Sequence, residues 1–208
     1  MTKTITHVYY DYASAEQAVR NAKAAGLGDS AISLVASNAD GWHKPGSSDV
    51  DPKHDKDRDG KDDRAEGAAT GGGLGAIAGG AAGVAAGLGM LAIPGVGPVV
   101  ALGWLASLAA GAVAGGAAGG IIGALVESGE SKENAALYAE ALRRGGAIVT
   151  AKVPDADVEK YKAILSKDSF DVSSRAPAYR ETGWTGYDPA ASAYSADQVR
   201  AERDTYRL

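Results

Sequence analysis

A chain of 208 residues with 45% hydrophobic content is long enough to own a core. Its net charge of −5, with basic residues scattered among acids, leaves no basic stripe for nucleic acid. The absence of cysteine excludes disulfides, thiolate nucleophiles and cysteine metal clusters, while 29 glycines against one phenylalanine make the apolar mass one of Ala, Gly, Val and Leu, a core that needs long, closely packed elements.

The opening "MTKTITHVYYDY" has no apolar stretch after its lysine and no small-residue cleavage site, so no secretory signal is expected. Residues 4–10, "TITHVYY", are β-branched and aromatic and predict a strand. The following "SAEQAVRNAKAAGLG" predicts a helix, with Ser14 as N-cap and Gly26 at its end. "AISLVAS", residues 31–37, predicts a second strand, which closes a βαβ unit and the first half of an αβ domain, residues 1–37.

Residues 38–66 lose apolar periodicity and form a polar loop that contains "DKDRDGKDDRAE", residues 55–66. Read as a calcium loop, Asp55, Asp57 and Asp59 hold the first, third and fifth positions, Gly60 the turn, Asp63 the ninth and Glu66 the twelfth. Alternate side chains converge as such a loop coils around a hard cation, Lys61 offers its backbone carbonyl, and Glu66 closes the sphere. The loop departs from a paired EF-hand, because Asp62 stands where an apolar residue is usual and "SSDVDPKH" is no entering helix. The competing reading is a charged linker that keeps the next segment soluble. His7, His43 and His54 form no zinc constellation.

Residues 67–126 carry no charge, and "IPGVGP" at 93–98 breaks them once, predicting a helical hairpin. Gly71, Gly75, Gly79, Gly83 and Gly87 recur every four residues in the first arm. Gly103, Ser107, Gly111, Gly115, Gly119 and Gly123 repeat the period in the second. A glycine costs a helix interior about 1 kcal/mol relative to alanine, so such ladders need something pressed against them. Burial inside a homo-oligomer is one solution; insertion in a bilayer is the other, since ~20 apolar residues suffice to cross. The Ala/Gly-rich first arm is weakly hydrophobic, which favours the oligomer. "GLGAIA" at 73–78 formally fits a nucleotide-binding fingerprint but follows a charged loop where a strand is required.

Residues 127–175 complete the αβ domain. "AALYAEALRRG" predicts a helix that stops at Gly145 and Gly146, "AIVTAKV" a strand over 147–153, "ADVEKYKAILSKD" a helix capped by Asp155, and "FDVSS" a short strand. The sum is an α+β fold, a ferredoxin-like sheet with an extra helix and a long inserted hairpin. The tail, residues 176–208, holds Trp184, Tyr187 and Tyr194, whose burial of ~150–250 Å² each predicts docking on this chain or another copy. A terminal helix follows, with Ser195 and Gln198 at capping-box spacing.

The order "HVYYDYASAEQAVRNAKAAGL", "AISLVAS", the glycine-rich hairpin with its "AIPGVGP" turn, and "GGAIVTAKV" resembles a bacterial family of general, or heat-induced, stress proteins over roughly residues 4–173. The tail "RETGWTGYDPAASAYSADQVRAER" is similar to ends found on several such bacterial proteins. The resemblance implies stress-linked expression and no established catalysis; it supplies no catalytic residues, and the calcium-like loop departs from its pattern. No nucleophile and base pair, metal cluster or phosphate loop can be assembled from these residues. The expectation is a non-enzymatic cytoplasmic stress protein that self-assembles through its glycine faces, with Trp184 and Tyr187 clasping a neighbour and Ca2+ stabilising the hairpin's entry. The alternative is an inner-membrane-associated protein with the hairpin in the bilayer.

Overall fold

The computed structural model describes residues 1–43, 89–105 and 120–206. The opening β-branched run forms β1 (Thr2–Tyr9), and α1 (Tyr12–Ala24) follows. Its N-cap is Asp11 rather than the expected Ser14: the Asp11 Oδ1 accepts from the Ser14 N–H, which donates at 2.8 Å. The helix ends as expected, with Gly26 at φ +102°. A 3-10 turn (Asp29–Ala31) leads into β2 (Ile32–Ser37).

The segment expected as a helical hairpin contains a β-hairpin instead: β3 (Gly89–Ile93) and β4 (Gly97–Leu102) pair antiparallel, Gly89 opposite Ala101 and Ile93 opposite Gly97. The expected break at "IPGVGP" is therefore a turn, but one between strands. Gly95 and Gly97 take φ +71° and +112°, left-handed values that end a helix, and the β-branched Val99 and Val100 then fill a pleated, buried surface.

The chain resumes with α2 (Gly120–Glu127) and α3 (Lys132–Arg143), the latter capped by Ser131, whose hydroxyl accepts from the Asn134 N–H at 3.1 Å. Strand β5 (Ala147–Pro154) follows, then a 3-10 turn (Asp155–Asp157) and α4 (Val158–Leu165). Asp155 lies in that turn, and Asp157 takes the cap position without a side-chain bond, so the expected Asp155 cap does not form. "FDVSS" is not a strand: Phe170 makes one bridge to Val8, its N–H donating to the Val8 carbonyl at 3.0 Å. Asp171 then caps α5 (Val172–Glu181), accepting from the Ser173 N–H at 2.9 Å, because a short acid followed by two serines satisfies a helix start better than a ladder. The last helix, α6 (Ala196–Tyr206), opens on a full capping box: the Gln198 N–H donates to Ser195 Oγ at 3.3 Å, and the Ser195 N–H to Gln198 Oε1 at 2.9 Å.

The five strands make one antiparallel sheet in the order β1-β5-β2-β4-β3. β5 lies between β1 and β2, with Tyr9 opposite Ala147 on one side and Ala36 opposite Ala147 on the other. The β1-α1-β2 unit is thus split by β5, and β4, which runs parallel to β5 because both are antiparallel to β2, makes a second crossover through α2 and α3 that is split by β2. The strand order departs from that of the expected ferredoxin-like sheet, and the β3–β4 hairpin extends one edge. Among the described residues the fold is mixed α/β with six helices. α1 and α4 cover Val149, Ala151, Leu34 and Ala36, while α2, α3 and α5 cover Ile148, Val35, Val99 and Val8. β2 and most of β5 are buried on both faces, which is why both read as continuous apolar runs rather than alternating ones.

Candidate functional site at the junction of tail and core

The tail folds back onto its own chain. The Tyr187 hydroxyl donates to the Pro94 carbonyl in the β3–β4 turn at 2.7 Å, and the Trp184 ring meets Tyr179 edge-on at 6.2 Å. Trp184 and Tyr187 both pack on the core beneath α3 and α5. Of the two placements the aromatics allow, this conformation uses docking on the same copy.

Glycines make the close approach possible. A Cβ on Gly95 would lie 2.0 Å from the Asp188 carbonyl oxygen, and one on Gly97 would lie 2.6 Å from the Ala193 Cβ. Gly145, at the C-terminal end of α3, has φ +98°, and a Cβ there would fall 2.3 Å from Val199 Cγ1. Val199 on α6 is fully buried. The "GVG" of the turn and the first glycine of "RRGG" therefore serve both a left-handed backbone and a contact with the tail.

Polar clasps surround these contacts. Arg144 and Glu140, one helical turn apart on α3, are each only 4% exposed. The Arg144 guanidinium donates to Glu140 at 2.6 Å, to Glu202 on α6 at 3.1 Å and to the Thr182 hydroxyl at 2.7 Å, and it lies 4.4 Å from the Tyr179 ring centroid. Burial works against its charge, but the bonds and attraction of Glu140 and Glu202 outweigh burial and raise its pKa. Burying an ion pair is expensive unless its remaining donors are satisfied, and here one arginine ties three elements while all three of its nitrogens have acceptors. Arg203 on α6 is a second clasp, donating to Asp40 at 2.5 Å, to the Gly145 carbonyl at 2.7 Å and to the Tyr10 carbonyl at 3.2 Å. Burial raises the Tyr179, Tyr187 and Tyr194 hydroxyls above their ordinary range, so all three stay protonated near neutrality.

Between α3, the β3–β4 turn and the tail is a cavity of about 260 Å³. It is lined by Glu140, Arg143 and Arg144 from the α3 end, Gly95 from the β3–β4 turn, and Trp184, Tyr187, Asp188 and Tyr194 from the tail. Arg143 stacks 4.6 Å from the Tyr194 centroid and donates from Nε to the Ser192 carbonyl at 3.0 Å.

Of the residues singled out in the sequence, Trp184, Tyr187 and Tyr194 reach this cavity. Gly103 does not present a helix face: it has φ +84°, and its Cβ would lie 2.3 Å from the Ile32 carbonyl oxygen, so it allows β4 to turn away beside β2. Gly123 is in α2 with nothing within 4 Å of a Cβ. Gly71, Gly75, Gly79, Gly83, Gly87, Ser107, Gly111, Gly115 and Gly119 lie outside the described residues. The calcium-loop set, Asp55, Asp57, Asp59, Lys61, Asp63 and Glu66, also lies outside them, and no cluster of three potential metal ligands occurs among the described residues. Among those residues no helix is long and apolar enough to cross a membrane.

Comparison with protein-family models, curated proteins and solved structures gives no match.

Proposed function

We propose that the chain is a non-enzymatic, self-associating structural protein of the general-stress type, with a clasped α/β body that carries an association surface on one sheet edge. The observation that carries this reading is β3. It is an edge strand with one strand neighbour among the described residues, its sequence "GMLAI" has no charge, and it sits within the uncharged run of residues 67–126.

The two edges of the sheet differ in kind. β1 carries Lys3 and an exposed, threonine-rich start, the sort of guard that keeps an edge from pairing with another chain. The β3 sequence "GMLAI" carries no such charge. An antiparallel β3 to β3 contact about a two-fold axis would join two sheets into one, and the small residues of the glycine repeats on either side in sequence would permit close approach of two copies in this proposal. The charged groups of the clasp point the same way: Arg144 and Arg203 are held by protein partners, as groups that fix a structure are.

Ala92, exposed on β3, supplies the test. Ala92→Lys places a charge on the edge without touching the core and should lower the assembly mass on sizing. Gly115→Leu should do the same by blocking backbone approach in the second ladder. Unchanged mass in both variants would remove this reading.

A further inference from the structure

The tail cavity has properties that self-association does not use. Its volume of about 260 Å³ holds roughly eight or nine waters at ~30 Å³ each, or one compact solute. Its lining charges balance: Arg143 and Arg144 against Glu140 and Asp188. Arg144 and Glu140 are spent on the clasp, while Arg143 and Asp188 are engaged only in part. Arg143 uses Nε on Ser192 and Nη1 on Glu140, which leaves Nη2 with no acceptor among the described residues. Asp188 is exposed and uses Oδ1 to accept from the Ala190 N–H at 2.8 Å, which leaves Oδ2 to solvent, free to meet a ligand. The Trp184 and Tyr187 rings line the same space.

These features discriminate among ligand classes. A singly charged ion would bring unbalanced charge into a partly enclosed site whose own charges already cancel. An apolar ligand would strip water from a guanidinium and a carboxylate while offering neither a partner. A neutral molecule with both a carboxylate and an ammonium meets both needs, and aromatic faces favour the cation. We propose that the cavity binds a compact zwitterion of the amino-acid or betaine class, its carboxylate on Arg143 and its ammonium against Asp188, Trp184 and Tyr187. The tail forms one wall, so occupancy favours the docked tail over the open one. This inference does not depend on the self-association reading.

Calorimetry on the full chain tests it with glycine betaine and glycine as zwitterions, and acetate and tetramethylammonium as the two halves. A zwitterion should bind one per chain, about tenfold or more tighter than either half, because linking the two groups makes the second contact intramolecular. Binding of glycine but not betaine supports the class and places a primary ammonium at Asp188. Asp188→Asn keeps the acceptor for the Ala190 N–H while removing the charge, and should weaken binding about tenfold. Arg143→Gln should do likewise, with hydrogen exchange of α6 reporting whether its tail stays docked. In the wild type, ligand at about a hundred times its Kd should slow opening-limited exchange of α6 by about a hundredfold. No heat from either zwitterion through the millimolar range, acetate binding as tightly as they do, or an Asp188→Asn affinity equal to wild type would each overturn the proposal.

Discussion

Gly145→Ala gives the sharpest test of how the tail docks. Two effects should add. A residue with a Cβ at φ +98° costs about 1–2 kcal/mol in the left-handed region. The new methyl would also sit 2.3 Å from Val199 Cγ1, so α6 must lift and forfeit burial of Val199, worth about 1.5–3 kcal/mol. The variant should lose about 2.5–5 kcal/mol at most, and less where α6 shifts without undocking. Val199→Ala alone removes two buried methyl groups and should cost about 1.5–2.5 kcal/mol. In that background the next contact is the residue 199 Cβ at 3.2 Å, an overlap of a few tenths of an ångström that a small adjustment relieves. The double variant should then be more stable than the sum of the singles implies, by at least about 1 kcal/mol. Urea unfolding of wild type, both singles and the double closes the cycle, with α6 hydrogen exchange locating the loss. Additivity within about 0.5 kcal/mol would show that α6 does not rest on Gly145.

Arg144→Met should destabilise by about 3–5 kcal/mol because it leaves the buried Glu140 carboxylate and the half-buried Glu202 carboxylate with fewer partners, and Glu140→Gln in the same chain should restore part of the loss; denaturant midpoints measure both. His7, whose Nδ1 lies 3.2 Å from the Ser169 hydroxyl, has its pKa lowered from 6.5 by burial and then by the Lys162 charge. The folded state thus binds fewer protons there than the unfolded one. Its contribution is present in full above 6.5 and is lost as pH falls through the folded-state value. His7→Gln should flatten the fall in stability across the weakly acidic range, and an unchanged slope would assign that fall to other groups. If the loop at Asp55–Glu66 takes calcium, calorimetry should register binding and sizing should differ between calcium and chelator; no heat and no change in mass would remove both claims.

Much of the α/β body could be read from local signals. β1, β2 and β5 announce themselves by β-branched runs, α1 and α3 by helix formers closed with glycine, and α6 by its capping box, because in each case local propensity and tertiary packing agree. Residues 89–102 were misleading for a physical reason. They lie between the two glycine ladders, where the four-residue spacing lapses and neither a helical nor a strand period replaces it, so their state is decided by the partners they meet: β2 for β4, and β4 for β3. "FDVSS" shows the same competition in miniature: β-branched character suggested a strand, and the Asp171 cap won. The clasp was hidden more deeply. "EALRRGG" reads as an ordinary charged helix end, and nothing local says that Arg144 will meet Glu202, 58 positions later, or that Gly145 will receive Val199. The tail aromatics signalled burial, but composition carries no address, so their landing on the β3–β4 turn required the fold.

Light scattering on detergent-free, full-length protein over a range of concentrations tests the association proposal most directly. Self-association through the uncharged edge and glycine repeats predicts a mass several times the 20.9 kDa of one chain, reduced by Ala92→Lys. A mass of 20.9 kDa at every concentration would contradict it.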